Sequence, residues 1–153
     1  MHPFIRTTGT LCLVAALAAC SSMTTISSTA PGTKLSLKNT VPVVPSTVKL
    51  RDTSFGNYEF KAVSPGGDAF YGILPLQFRG GRLALDIIFF APATMFNLRS
   101  VFAFYEIDAE HGVIRYRKHA NDAWMEYHPK AEERERARRF FGQQAGNDSE
   151  KAI

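Results

Sequence analysis

The sequence predicts a mainly β domain with some helix, an α+β fold built on a small antiparallel sheet or sandwich of about seven short strands. Three observations carry this expectation. Apolar and polar residues alternate in short runs from Lys34 to Tyr127, glycine- and proline-containing turns separate those runs, and a single stretch near the C terminus has the charge order and end signals of a helix.

The chain opens with MHPFIRTTGTLCLVAALAACSS, in which Arg6 is the one charge before an apolar run at 11–19. A basic start, a short apolar run and small residues at its end read as a secretory signal. Nine apolar residues do not span a hydrocarbon core of about 30 Å, which takes about 20 in a helix. The run ends in Leu17-Ala18-Ala19-Cys20, which resembles the lipobox of bacterial lipoproteins. The resemblance implies cleavage before Cys20, a diacylglyceryl group on its sulfur and a further acyl chain on its new amino group. Stable anchoring takes more than one chain, each buried methylene contributing about 0.8 kcal/mol. In the lipoproteins it resembles, aspartate after the cysteine favours the inner membrane and serine favours the outer one. Ser21 therefore implies an outer membrane location facing the periplasm in preference to the inner membrane.

On that resemblance the organisation is a lipoprotein signal peptide at 1–19, a lipidated Cys20 with a flexible tether to 32, a single β-rich domain at 33–142 and a disordered tail at 143–153. The tether is expected because 21–32 (SSMTTISSTAPG) is rich in serine and threonine and has no apolar period. Of the two cysteines, Cys12 leaves with the signal and Cys20 is lipidated, so the folded part has neither a thiol nor a disulfide. It must hold together by burial alone, and eleven Phe, five Tyr and one Trp remain for a core. The formal charge of +4 becomes +3 without Arg6. That mild excess gives no support to a nucleic-acid partner, and none is expected.

The elements follow in order. KLSLK at 34–38 alternates as a half-buried strand, 39–46 with its two prolines reads as a loop, and TVKL at 47–50 alternates again. At 58–63 Tyr58, Phe60 and Ala62 share one face, with Glu59 and Lys61 on the other. Residues 64–68 (SPGGD) form a turn, and 69–78 returns as a strand that Pro75 confines to an edge or breaks. FYEID at 104–108 and VIRYRK at 113–118 flank a four-residue connection ending in Gly112, a hairpin signal, and 123–127 adds a third strand. The helix is expected at about 129–141. Pro129 suits its first position, acids come early and arginines late, Glu132/Arg136 and Glu135/Arg139 are spaced to pair, and Gly142 caps it. Ala137, Phe140 and Phe141 form a small apolar face for docking on the sheet. Its arginines read as a solvated face, with a phosphate or headgroup contact as the alternative.

The apolar segment at 83–98 (LALDIIFFAPATMFNL) stands apart, with one charge in sixteen residues and Arg82 and Arg99 beside it. It is too short and too interrupted, at Pro92, to cross a membrane as a helix. The leading reading is a core strand or helix broken at Ala91-Pro92. The competing one is an exposed loop or helical hairpin whose Phe89, Phe90, Met95 and Phe96 contact a partner or lipid. Asp86 needs a hydrogen bond or a charge partner in such surroundings, and Arg82 lies four residues before it.

No motif of a hydrolase, a metalloprotease or a phosphate-binding loop occurs, and no catalytic residue, metal site or cofactor is expected. The mature histidines, His111, His119 and His128, have no metal-ligand spacing. Stretches such as SFGNYEFKAVSPG, with the following Gly80-Gly81 and apolar segment, resemble small envelope lipoproteins of Gram-negative bacteria, whose folded part is similar to PEGA-type β modules. No functional residue carries over from that resemblance. The expected function is a membrane-anchored, non-enzymatic binding or assembly module of the cell envelope, with an envelope protein as partner. The alternatives are an envelope hydrolase acting on peptidoglycan or lipid through acid/base residues such as Asp86 or His111, and direct lipid binding through 83–98.

Overall fold

Alternating inward and outward side chains build ten strands, followed by one helix, among the residues that the computed structural model describes: 21–38, 41–53, 56–78 and 99–151. The strands are β1 (Ser21–Ser28), β2 (Lys34–Leu37), β3 (Ser46–Arg51), β4 (Glu59–Val63), β5 (Ala69–Ile73), β6 (Leu76–Phe78), β7 (Arg99–Val101), β8 (Phe104–Asp108), β9 (Val113–Arg117) and β10 (Met125–Tyr127). The helix is α1 (Ala131–Lys151). Cys20, Arg82, Asp86, Phe89, Phe90, Met95 and Phe96 lie outside the described residues, as does the whole of 83–98.

A five-stranded sheet has the order β10-β9-β8-β1-β3, a three-stranded sheet the order β2-β4-β5, and β6 and β7 form a ribbon. The larger two bury one common cluster. Ile26, Leu50, Tyr105, Ile107 and Ile114 come from the first sheet, and Leu35, Leu37, Phe60, Ala62 and Phe70 from the second. The α+β class therefore holds, with no closed barrel.

Several expectations are corrected. Residues 21–28 are not a tether but β1, the strand between β3 and β8. Its serines and threonines hide the pattern. Only Thr24 and Ile26 are fully inward, and the β-branched run Thr24-Thr25-Ile26 favours an extended chain. The sheet is not wholly antiparallel, because β1 runs parallel to β8. At 69–78 the expected break at Pro75 is found: β5 and β6 are separated at Leu74-Pro75, since proline has no N–H for a ladder.

The helix starts later and ends later than expected. Pro129 precedes it and is buried, within 3.0 Å of where a Cβ on Gly72 would sit. Gly142 does not end it, and the tail expected from 143 continues the helix to Lys151. An exposed helical glycine costs only about 1 kcal/mol relative to alanine, too little to stop a run containing Gln143, Gln144 and Ala145.

Tyr105 ties the sheets to the ribbon. Its hydroxyl donates to the Pro75 carbonyl at 2.5 Å and accepts from the Phe102 N–H at 2.9 Å. Burial pushes its pKa up, so it stays a neutral donor. The Phe102 ring packs on Tyr116, with centroids 4.5 Å apart, and closes the core on that side.

Ile26→Ala tests the reassignment of 21–28. In a packed central strand it lowers stability by about 2–5 kcal/mol in urea unfolding of the full chain. In a tether it would cost almost nothing.

Candidate functional site

The first sheet sets two ends. Strand β1 pairs Ser21 with Arg51 at one end, and Ser28 with Ile107 at the other. At the Ser28 end three pieces converge: the start of β5, the turn between β8 and β9, and the first turns of α1.

The helix is set in place by its own first turn. The Lys130 N–H donates to Glu133 Oε2 at 2.9 Å, half of a capping box, and the Tyr127 hydroxyl donates to the same oxygen at 2.5 Å. Burial first, and then that carboxylate, pushes the Tyr127 pKa up to about 12. Ala137 is fully buried under the helix, and Phe141 meets Tyr71 of β5. The Arg136 side chain is about half exposed. It reaches Glu59 of β4 at 3.2 Å, where a carboxylate only 6 % exposed requires a partner.

The β8–β9 turn, the expected hairpin, is held by Asp108. Its Oδ1 accepts the His111 backbone N–H at 3.1 Å and contacts His111 Nδ1 at 2.9 Å, while Gly112 takes the left-handed conformation at φ 67°. Arg115 then joins three strands, meeting Glu126 at 2.9 Å, Glu106 at 3.0 Å and Asp108 at 3.5 Å. Burial alone would raise the Asp108 pKa. The His111 hydrogen bonds and the Arg115 charge outweigh it and hold the carboxyl below its usual value. The same hydrogen bond and the Asp108 charge raise the pKa of His111.

These pieces enclose a cleft of about 630 Å³. Phe70 and Tyr71 form its floor, Glu110 and His111 one wall, and Arg134, Glu135 and Arg138 the other, with Asp68 at the rim. A second hollow of about 640 Å³ adjoins it along Asp68, Ala109 and Glu110, and extends to Ala30, Pro31 and the 64–67 turn. Arg138 lies over the Tyr71 ring at 5.5 Å and pairs with Glu135 at 3.4 Å. With Nδ1 committed to Asp108, Nε2 is the His111 nitrogen that can meet a ligand. The cleft thus offers cations, carboxylates and an aromatic floor together, a lining suited to a ligand that carries both charges.

Of the residues singled out in the sequence, His111 and the helix residues Arg134, Glu135 and Arg138 come together here. His119 does not; it closes a separate turn with Asp122 at 3.0 Å, and His128 is exposed elsewhere. Asp108, Asp68 and Tyr71 had no signal as a group. The Asp-x-x-His spacing across the hairpin turn is the one local clue. Among the described residues no group of three or more His, Cys, Asp or Glu is placed to hold a metal ion. No family model matches the chain, and comparisons with curated proteins and with solved structures find no match either.

The Asp108–His111 pair has a definite pH window. His111 has a raised folded pKa, so its contribution is present at low pH and is lost as pH rises through that value. Asp108 has a lowered one, so its contribution is present at higher pH and is lost as pH falls through it. The turn is held most firmly between the two. In an NMR titration His111 should show a pKa above an ordinary imidazole's, about 6.5, and Asp108→Asn should return it towards that value.

Proposed function

We propose that this chain is a bacterial lipoprotein, anchored through Cys20, whose β-rich domain is a non-enzymatic binding or assembly module of the cell envelope. The observation that carries the reading is Leu17-Ala18-Ala19-Cys20 immediately before β1. The serine at 21 favours the outer membrane, facing the periplasm. Among the described residues no helix is long and apolar enough to cross a membrane.

The layout supports a module that presents its cleft away from the anchor. Strand β1 begins beside Cys20, and at about 3.3 Å per residue its eight residues carry the Ser28 end roughly 25 Å away. The cleft opens at that far end, where a soluble partner or a cell-wall component can reach it. Its lining of Glu110, Glu135, Arg134 and Arg138 favours a partner bearing both charges, such as an envelope protein loop.

One observation favours a second reading, an envelope hydrolase acting on peptidoglycan or lipid. His111 is oriented by Asp108 and lines a cleft that also holds Glu110 and Glu135. That is the arrangement of a base with its orienting acid, although it is equally the arrangement of a closed turn.

The anchor is tested by Cys20→Ala in growing cells. The parent chain should incorporate labelled palmitate and sediment with membranes, and the variant should do neither. A variant that still took up palmitate would end the lipoprotein reading.

A further inference from the structure

Among the described residues, the five-stranded sheet has one face on the core and a second that is exposed towards the β1 start and covered at Asp108 and Val113. The open face is made by alternate residues, and the register arranges them in rows. Nearest the β1 start lie Ser21 and Arg51, then Met23 and Lys49, then Thr25 and Thr47 in line with Phe104 and Arg117. Trp124 closes that third row, since the Arg117 guanidinium lies 4.2 Å from its ring centroid and 5.3 Å from that of Phe104. Further on come Ser27, Glu106, Arg115 and Glu126, and beyond them Asp108 and Val113.

The two halves of this face differ in kind. The half away from the β1 start is acidic, with Arg115 shared among the three carboxylates of Glu106, Asp108 and Glu126. The other half has three cations, Lys49, Arg51 and Arg117, and no carboxylate in its rows. None of the three forms a salt bridge among the described residues, and Arg117 Nε has no hydrogen-bond partner there. Beside these cations Met23 is 57 % exposed and Trp124 37 %. The turn below Trp124 adds Lys118, together with the paired His119 and Asp122. A guanidinium stacked on an indole, next to an exposed methionine and two more cations, is the composition of a surface that enters lipid headgroups.

Where the chain enters supplies the occupant. This half of the face ends at Ser21, the residue after Cys20, and β1 leaves no slack between them. A lipidated Cys20 would hold these rows at the bilayer surface. We propose that the Ser21-side half of the open sheet face rests on the bilayer, with Lys49, Arg51 and Arg117 meeting anionic phospholipid headgroups and Met23 and Trp124 entering among them. This rests on the lipoprotein reading, and it fixes an orientation: the domain lies against the membrane by this half-face.

Trp124 is the one tryptophan of the chain, so its emission reports the contact directly. The full chain, purified from membranes in detergent, is reconstituted into vesicles of phosphatidylglycerol and brominated phosphatidylcholine and floated. The expected result is that it floats, that Trp124 emission moves to shorter wavelength and is quenched by bromine, and that iodide no longer reaches it. Each cation near an anionic surface favours contact roughly five-fold. K49E/R51E, at two exposed positions, should therefore still float through its acyl chains yet lose most of the bromine quenching. A parent chain that floats with Trp124 open to iodide and unquenched overturns the orientation while leaving the anchor intact. Protection from iodide without bromine quenching means that protein covers the face, and overturns lipid as its occupant. Equal quenching in parent and K49E/R51E overturns the role of Lys49 and Arg51. A parent chain that does not float overturns the anchor and this proposal together.

Discussion

Strand β1 is hydrogen-bonded on both sides, and everything else in the fold takes its position from that. Its Ser21–Ile26 part pairs with β3 on one edge and its Thr25–Ser28 part with β8 on the other, overlapping at Thr25 and Ile26. Those two strands are far apart in the chain and meet only through it. Because β1 is antiparallel to one and parallel to the other, the sheet acquires unlike ends. At one, β1 starts beside the end of β3. At the other, β1 and β8 finish together, and the turn that follows β8 lands against β5 and the helix.

Charge is distributed along the same axis. Towards the cleft end, Asp108 is the shared element, accepting from His111 in the turn and facing Arg115 on the sheet. An exposed ion pair contributes little, about 0–1 kcal/mol. Asp108 differs in being buried, so its several partners offset a desolvation cost that a surface carboxylate would not meet. Towards the β1 start, Lys49, Arg51 and Arg117 form no salt bridge among the described residues, and their neighbours include Met23, Phe104 and Trp124. A domain whose two ends differ in this way is suited to meeting two different surroundings.

On the proposed reading those surroundings are the aqueous envelope and the bilayer. The absence of slack between Cys20 and β1 matters here. A tethered domain would tumble above the membrane with no preferred face, whereas a strand that begins at the anchor constrains which surface meets the lipid. The helix then stands beside the cleft as one of its walls, held by Glu133 at its first turn and by Arg136 on Glu59.

Much of the fold was legible because it is local. The alternations of β2, β3 and β4, the Gly112 hairpin and the acid-to-base order of the helix are each carried by neighbouring residues. Where the reading failed, the deciding interaction lay elsewhere in the chain. Residues 21–28 have the composition of a linker, and only partners on β3 and β8 make them a strand. The helix passes Gly142 because one exposed glycine costs too little to end it. The cleft was legible only at His111, Arg134, Glu135 and Arg138, since Asp68, Tyr71 and Glu110 are ordinary residues until the sheets and helix bring them together. By itself the sequence determined the elements with a strong period and the lipobox-like run at Cys20. Tertiary structure alone decided that β1 is the centre of a sheet and which side chains share its two ends. Period is written in adjacent residues, whereas strand pairing depends on hydrogen bonds between segments that no local pattern connects.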